Sequence, residues 1–118
     1  MERSRKLNTI VENHLFSRLY SKGKRCAGQF LIVYYIKNRK DDEKRIGITV
    51  SKSRGKAVVR NRIKRLIRES LRQVWHNVKD GYLIVVVARQ PAAEASFEDI
   101  SDELSLLLKR AALLDGQT

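Results

Sequence analysis

KSRGKAVVRNRIKRLIRES, residues 52–70, carries eight Lys or Arg side chains and one acid, Glu69. As charge alone it reads as a disordered basic tail. The apolar residues threaded through it point elsewhere. The stretch predicts a loop over 52–56 and a helix from about Ala57 to about Asn77. On that helix Ile63, Leu66, Ile67, Leu71 and Val74 fall on one stripe. Asn61, Lys64, Arg65, Arg68 and Arg72 fall on the opposite side. The stripe fixes the helix against a sheet, and the fixed helix displays its cations as an ordered array.

Outward from this helix the pattern turns to strands. IGITVS (46–51) alternates Ile46, Ile48 and Val50 with Gly47, Thr49 and Ser51. QFLIVYYI (29–36) is apolar on both faces, as a strand covered on both sides or one with a face open to a ligand, and YLIVVVA (82–88) reads as a buried strand. The loop between 29–36 and 46–51 is short enough for a hairpin. VENHLFSRLYSKGKR predicts a short first helix with Asn13 as N-cap and Gly23 as stop, and with Val11, Leu15 and Leu19 at four-residue steps. Ser96 predicts the N-cap of a last helix, with Glu98 and Asp99 in its first turn and Gly116 at its end. The expected order is α-β-β-α-β-α: an α+β fold, an α/β sandwich with a small sheet packed by helices. The connection through the basic helix makes a βαβ unit if its strands are parallel.

A chain of 118 residues with 42% apolar side chains supports one domain, expected over 1–118 with a core at about 7–113. The net charge is +12, and residues 1–79 carry 22 basic and 6 acidic side chains against 3 and 7 in residues 80–118. Such an excess asks for a polyanionic partner. From Lys52 to Arg72 nine basic residues meet one acid. A solvated surface usually mixes signs, so nucleic-acid binding is favoured over an idle charged face. One cysteine, Cys26, excludes an intramolecular disulfide. Cys26, His14 and His76 give no zinc spacing. No apolar run reaches membrane-spanning length, so the expectation is cytoplasmic, with no membrane.

Phe16, Tyr20, Tyr34 and Tyr35 are core residues or stacking platforms for unpaired bases. The Gly47, Thr49 and Ser51 side leaves room for something to approach the backbone. Asp41, Asp42 and Glu43 lie in a loop and Glu98, Asp99, Asp102 and Glu103 on the polar face of the last helix, away from the basic array of 52–72, which argues against a protein-borne two-metal nuclease. The readings open at this point are an RNA-binding protein, a DNA-binding module using the basic helix, and a nuclease.

SKSRGKAVVRNRIKRLIRE resembles the signature of the bacterial ribonuclease P protein family, through Lys52, Gly55, Ala57, Val58, Arg60, Asn61, Lys64, Arg65 and Arg68. Phe16, Tyr20 and Gly23, RIGITVSK, and YLIVVVARQPA are similar to the family's flanking elements. The resemblance implies a left-handed βαβ crossover. It implies a protein subunit that binds a catalytic RNA and the 5′ leader of precursor tRNA, while the RNA removes the leader. It implies Lys52, Arg60, Asn61, Lys64, Arg65, Arg68 and Arg72 on the catalytic RNA. It places Phe16, Tyr20, Thr49 and Ser51 in a leader cleft. Anchoring the strand on Gly23 adds Tyr34, and anchoring it on Gln29-Phe30 adds Val33 and Tyr35 instead. No catalytic residue and no protein partner is implied, Mg²⁺ is expected mainly on the RNA, and metal ligands in the protein are left unassigned. The alternative is a generic basic RNA binder such as a ribosomal protein.

Overall fold

The structure, a computed structural model, describes residues 7–10, 12–40 and 42–114. Val11, Asp41 and Gly116, which the sequence reading used, lie outside the described residues. Helix α1 spans Asn13–Lys22, strand β1 Lys24–Ala27, β2 Leu31–Lys37, β3 Arg45–Thr49, helix α2 Ala57–Val74, strand β4 Tyr82–Ala88 and helix α3 Phe97–Arg110. Short 3-10 turns at Lys52–Arg54, Trp75–Asn77 and Gln90–Glu94 join them. The fold is a mixed α+β one, a four-stranded sheet with three helices. It holds one strand more than the sequence pattern predicts, because β1 (KRCA) is short, polar and largely exposed.

The sheet order is β1-β2-β4-β3. Strands β2 and β3 are therefore not a hairpin, although the loop between them permits one. Strand β4 enters between them, antiparallel to β2 and parallel to β3. Burial decides this. Leu83, Ile84, Val85 and Val86 in β4 are at most 1% exposed, so both faces of β4 need cover. Strand β3, with its Gly and Thr side, tolerates the edge. The outer edge of β3 meets residues 8–10: Ile10 N–H donates to the Ile46 carbonyl at 2.9 Å, and Ile46 N–H to the Asn8 carbonyl at 2.8 Å.

Two apolar clusters sandwich the sheet. On one face Ile63, Ile67 and Leu71 of α2 and Ile100, Leu104 and Leu107 of α3 pack on Leu31, Val33, Ile46, Ile84 and Val86. On the other, Leu19 and Phe16 of α1 pack on Tyr34, Leu83 and Val85.

The helix ends follow local chemistry, with two corrections. Glu12, not Asn13, occupies the α1 cap, with no side-chain cap bond, while Gly23 ends the helix as expected. At α3 the Ser96 hydroxyl accepts from Asp99 N–H and the Asp99 carboxylate from Ser96 N–H, a closed capping box. The far end comes at Ala111, before Gly116, with Ala112 in the left-handed region.

Glu103 ties α3 to the sheet. Its carboxylate accepts backbone N–H bonds from Gln29 at 2.8 Å and from Phe30 and Leu31 at 2.7 Å each. Gly28 allows this approach, since a Cβ there would come within 2.4 Å of that carboxylate. Bonds to a charged group contribute about 1.5–3 kcal/mol each net of competition with water, and the loss is smaller where, as at Gln29, the freed amide can bond water instead. We expect Glu103→Ala to lower the unfolding free energy by about 2–3 kcal/mol, with Glu103→Gln between it and wild type. Urea titration of the three proteins measures it, and a Glu103→Ala midpoint equal to wild type would show that the three amides find other partners.

Candidate nucleic-acid interface

Helix α2 starts after Gly55, whose φ of 144° few side chains adopt. Lys56 holds the cap position without a side-chain cap bond, so the first N–H groups of an 18-residue helix have no capping side chain. Lys52 is exposed on the 3-10 turn before it. Along α2, Ile63, Ile67 and Leu71 are fully buried, while Asn61 and Arg65 are exposed and Lys64, Arg68 and Arg72 half-buried. The array foreseen from the helical period is thus ordered by its own core stripe.

The basic residues of α2 do not all stand in it. The Arg62 guanidinium donates to the Ala93 carbonyl at 3.3 Å and the Ala95 carbonyl at 2.7 Å, tying the helix to the turn after β4. Arg60 Nε donates to the Gly55 carbonyl at 3.1 Å. Arg72 lies 3.8 Å from Glu69, one turn away. The least engaged members are Asn61, Lys64, Arg65 and Arg68. Pattern alone does not separate these roles, because the carbonyls Arg62 meets lie about thirty residues on.

On the opposite face of the sheet, α1 and the strands form a trough. The Tyr20 and Tyr34 rings meet edge to face, centroids 4.9 Å apart at 86°. Tyr20 is 44% exposed, and its hydroxyl is 3.3 Å from Thr49 Oγ1. Register separates the two anchorings of β2: Tyr34 faces α1, while Val33, fully buried, and Tyr35 face α2 and α3. Val33 and Tyr35 are therefore not part of the trough. Burial pushes the Tyr35 phenol above its ordinary value, and Cys26 beside it adds to the shift.

Gly47 is not an open floor either. It is buried under Phe16, and a Cβ at position 47 would lie 2.8 Å from that ring. The accessible floor is Thr49, followed by exposed Ser51, whose hydroxyl bonds Ser53 at 2.8 Å and Arg54 Nε at 3.3 Å.

The two surfaces meet. A cavity of about 340 Å³ over the β3 edge is lined by Phe16 and Gly47 from the trough side, by Lys64, Arg68 and Arg72 from α2, and by Thr9. The share of Leu7, Thr9 and Ile10 in it was not legible, since so short a segment carries no periodic signal. Among the described residues no three His, Cys, Asp or Glu side chains come together as a metal site. No helix of the described residues is long and apolar enough to cross a membrane.

A family model described as Ribonuclease P matches residues 4–112. The chain is 42% identical over 110 residues to the ribonuclease P protein component of Caldanaerobacter subterraneus, covering 93% of this chain and 94% of that one. It is similar to the solved RNase P protein of Staphylococcus aureus, with a TM-score of 0.84 and 38% identity over 93% of this chain and all of that one. The Thermotoga maritima RNase P protein gives 0.78 and 31% identity, over 87% of this chain and 96% of that one.

The division of labour on α2 is open to measurement. Arg62→Ala removes two partly buried bonds to carbonyls and should lower stability by about 1–3 kcal/mol. Arg65→Ala, at an exposed position, should stay within about 0.5 kcal/mol of wild type. Equal thermal midpoints for the two variants would contradict the assignment.

Proposed function

Because the chain belongs to the ribonuclease P protein family, we propose that it is the protein component of a ribonucleoprotein endonuclease whose RNA subunit carries out the chemistry. In this reading the protein works in the cytoplasm and binds two RNAs at once. The catalytic RNA lies along α2, with Lys52, Asn61, Lys64, Arg65 and Arg68 as its main phosphate contacts and Arg60 and Arg72 at their flank. The single-stranded 5′ leader of precursor tRNA runs through the trough, its bases against Phe16, Tyr20 and Tyr34 and its backbone past Thr49 and Ser51.

The observation that carries this reading is the cavity over the β3 edge, where Phe16 and the α2 cations line one space. A strand leaving the trough there meets the cations directly. The protein's share of the work is positioning: stacking holds the leader extended, and fixed cations hold the catalytic RNA beside it.

Mg²⁺ is the expected ion, and among the described residues no three His, Cys, Asp or Glu side chains gather to hold it. Glu103 and Asp99 are engaged by backbone N–H groups, and Glu43 lies 3.2 Å from Arg45. RNA phosphates are the natural ligands, and the protein's cations are placed to moderate repulsion among those phosphates.

Purified protein alone should leave precursor tRNA intact, while protein with its cognate catalytic RNA and Mg²⁺ should release the leader. Robust cleavage by RNA-free protein would sink the reading. Tyr20→Ala tests the trough with less disturbance of packing than Phe16→Ala, because Tyr20 is more exposed. Loss of one stacked base costs about 1–3 kcal/mol. The holoenzyme's preference for leader-bearing over leaderless tRNA should therefore fall by about tenfold or more, with binding of the catalytic RNA unchanged. An unchanged preference in a folded variant would remove Tyr20 from the site.

A further inference from the structure

A second concave surface lies away from both α2 and the trough. The end of the sheet that carries Lys37 and Tyr82, the start of β1, and the C-terminal ends of α1 and α3 enclose a cavity of about 640 Å³. Among the described residues five cations line it, Arg18, Lys22, Lys24, Lys37 and Arg39, and no acid does. Arg18 and Lys22 stand on the side of α1 away from Phe16 and Tyr20, by the helical period. None of the five is in an ion pair among the described residues.

Such a grouping opposes folding unless something answers it. Arg18 and Lys22 are an i,i+4 like-charge pair. Lys24 pairs with Tyr35 across the strands, which places Lys37 two residues further along β2 on the same face, a diagonal like-charge neighbour. The cavity also has an aromatic wall. Tyr35 and Tyr82 line it, and Lys37 Nζ stands 5.8 Å from the Tyr82 ring centroid. The Tyr35 phenol, neutral at pH 7 like any tyrosine, is pushed further from ionising by burial and by Cys26, so it offers a hydroxyl rather than a negative charge.

The geometry points to a second RNA-binding site here, one that takes a bent stretch of phosphodiester backbone, with phosphates on Lys22, Lys24, Lys37 and the two arginines and a ribose or base against the tyrosines. The inference rests on the proposed function only for the identity of the RNA. The phosphates belong either to the catalytic RNA or to precursor tRNA, and the chemistry of recognition is the same for both. A protein that grips RNA at α2 and again at the far end of the sheet sets its orientation as well as its affinity, because two separated contacts fix a rotation that one leaves free.

The test uses Lys24→Gln/Lys37→Gln in the full chain, with Lys79→Gln/Lys109→Gln as a control of equal charge loss outside the cavity. One arm measures affinity for the cognate catalytic RNA across salt concentrations. The other measures affinity of the assembled holoenzyme for precursor tRNA. The cavity variant should bind about tenfold more weakly at low salt in one arm, and its slope of log affinity against log salt should be shallower by about 1–2, as expected for two lost phosphate contacts. Lys24→Arg/Lys37→Arg should restore most of the affinity. Loss in the first arm assigns the cavity to the catalytic RNA, and loss in the second arm alone assigns it to precursor tRNA. Equal losses in the cavity and control variants, in both arms, would mean that only net charge matters and would overturn the site. Lys22→Gln, on a helix end, keeps the test decisive if the strand variant melts early. Wild-type protein that does not bind the catalytic RNA at all would overturn the family-based function, a failure distinct from that of the cavity alone.

Discussion

Strand β4 needs cover on both faces, and the rest of the architecture answers that need. Tyr82–Ala88 has no polar side to turn to water, and its central residues are buried whichever way they point. Only an inner position in a sheet covered on both sides satisfies it. Strand β2 takes one edge of β4 and β3 the other, the latter in parallel. A parallel neighbour requires a long crossover rather than a tight turn, and α2 is that crossover. The basic helix is therefore held in place by an apolar strand that follows it in the chain. The second face is covered by α1, whose ten residues are too few to cover all of it. The uncovered remainder, walled by Tyr20 and Tyr34, is the trough.

The separation of charge has a similarly structural origin. Some charged side chains are engaged by the backbone. Lys44 Nζ donates to the Trp75 and Val78 carbonyls at 2.6 and 2.7 Å while sitting 5.0 Å from the Trp75 ring centroid, which closes the turn after α2. Arg62 does comparable work near the other end of the helix, Glu103 takes the N–H groups that lead into β2, and Asp99 takes the N–H of the α3 cap. Asp80, Glu94, Glu98 and Asp102 stay exposed, so the last third keeps an acidic surface while the outward side of α2 is cationic. One-sided charge of this kind repels itself in the free protein and is relieved by a polyanion, which links the electrostatics of the fold to its partner class.

Much of this was legible in the sequence. Helix α2 and its two faces followed from period alone, because Ile63, Ile67 and Leu71 recur too regularly for a tail. The Ser96 cap, the Gly23 stop, and strands β2, β3 and β4 followed from equally local signals. Three kinds of feature did not. Strand β1 is four residues of mostly polar chain, with too little alternation to register. The place of β4 between β2 and β3 depends on comparing the burial demands of three strands, and a short loop between two of them pointed the other way. The roles of Lys44, Arg62 and Glu103 depend on partners about thirty to seventy residues distant, which no local pattern encodes.

The aromatic wall shows why a site can be half legible. Strand β2 is apolar on both sides, so alternation cannot say whether Tyr34 or Val33 and Tyr35 face α1, and a slip of one residue exchanges the two sets. What decides is pairing: Arg25 stands opposite Tyr34 and Cys26 opposite Val33 in β1, and Val85 opposite Tyr34 in β4. Once that register is set, Tyr34 meets Tyr20 edge to face, and the Tyr20 hydroxyl reaches Thr49 on the far side of β4. The trough therefore spans three adjacent strands and is clamped by one helix. Side chains anchored on strands hold their spacing better than side chains on loops. Gly47 completes the arrangement by having no side chain, which lets Phe16 settle onto β3 and brings the aromatic face to the edge where the α2 cations begin.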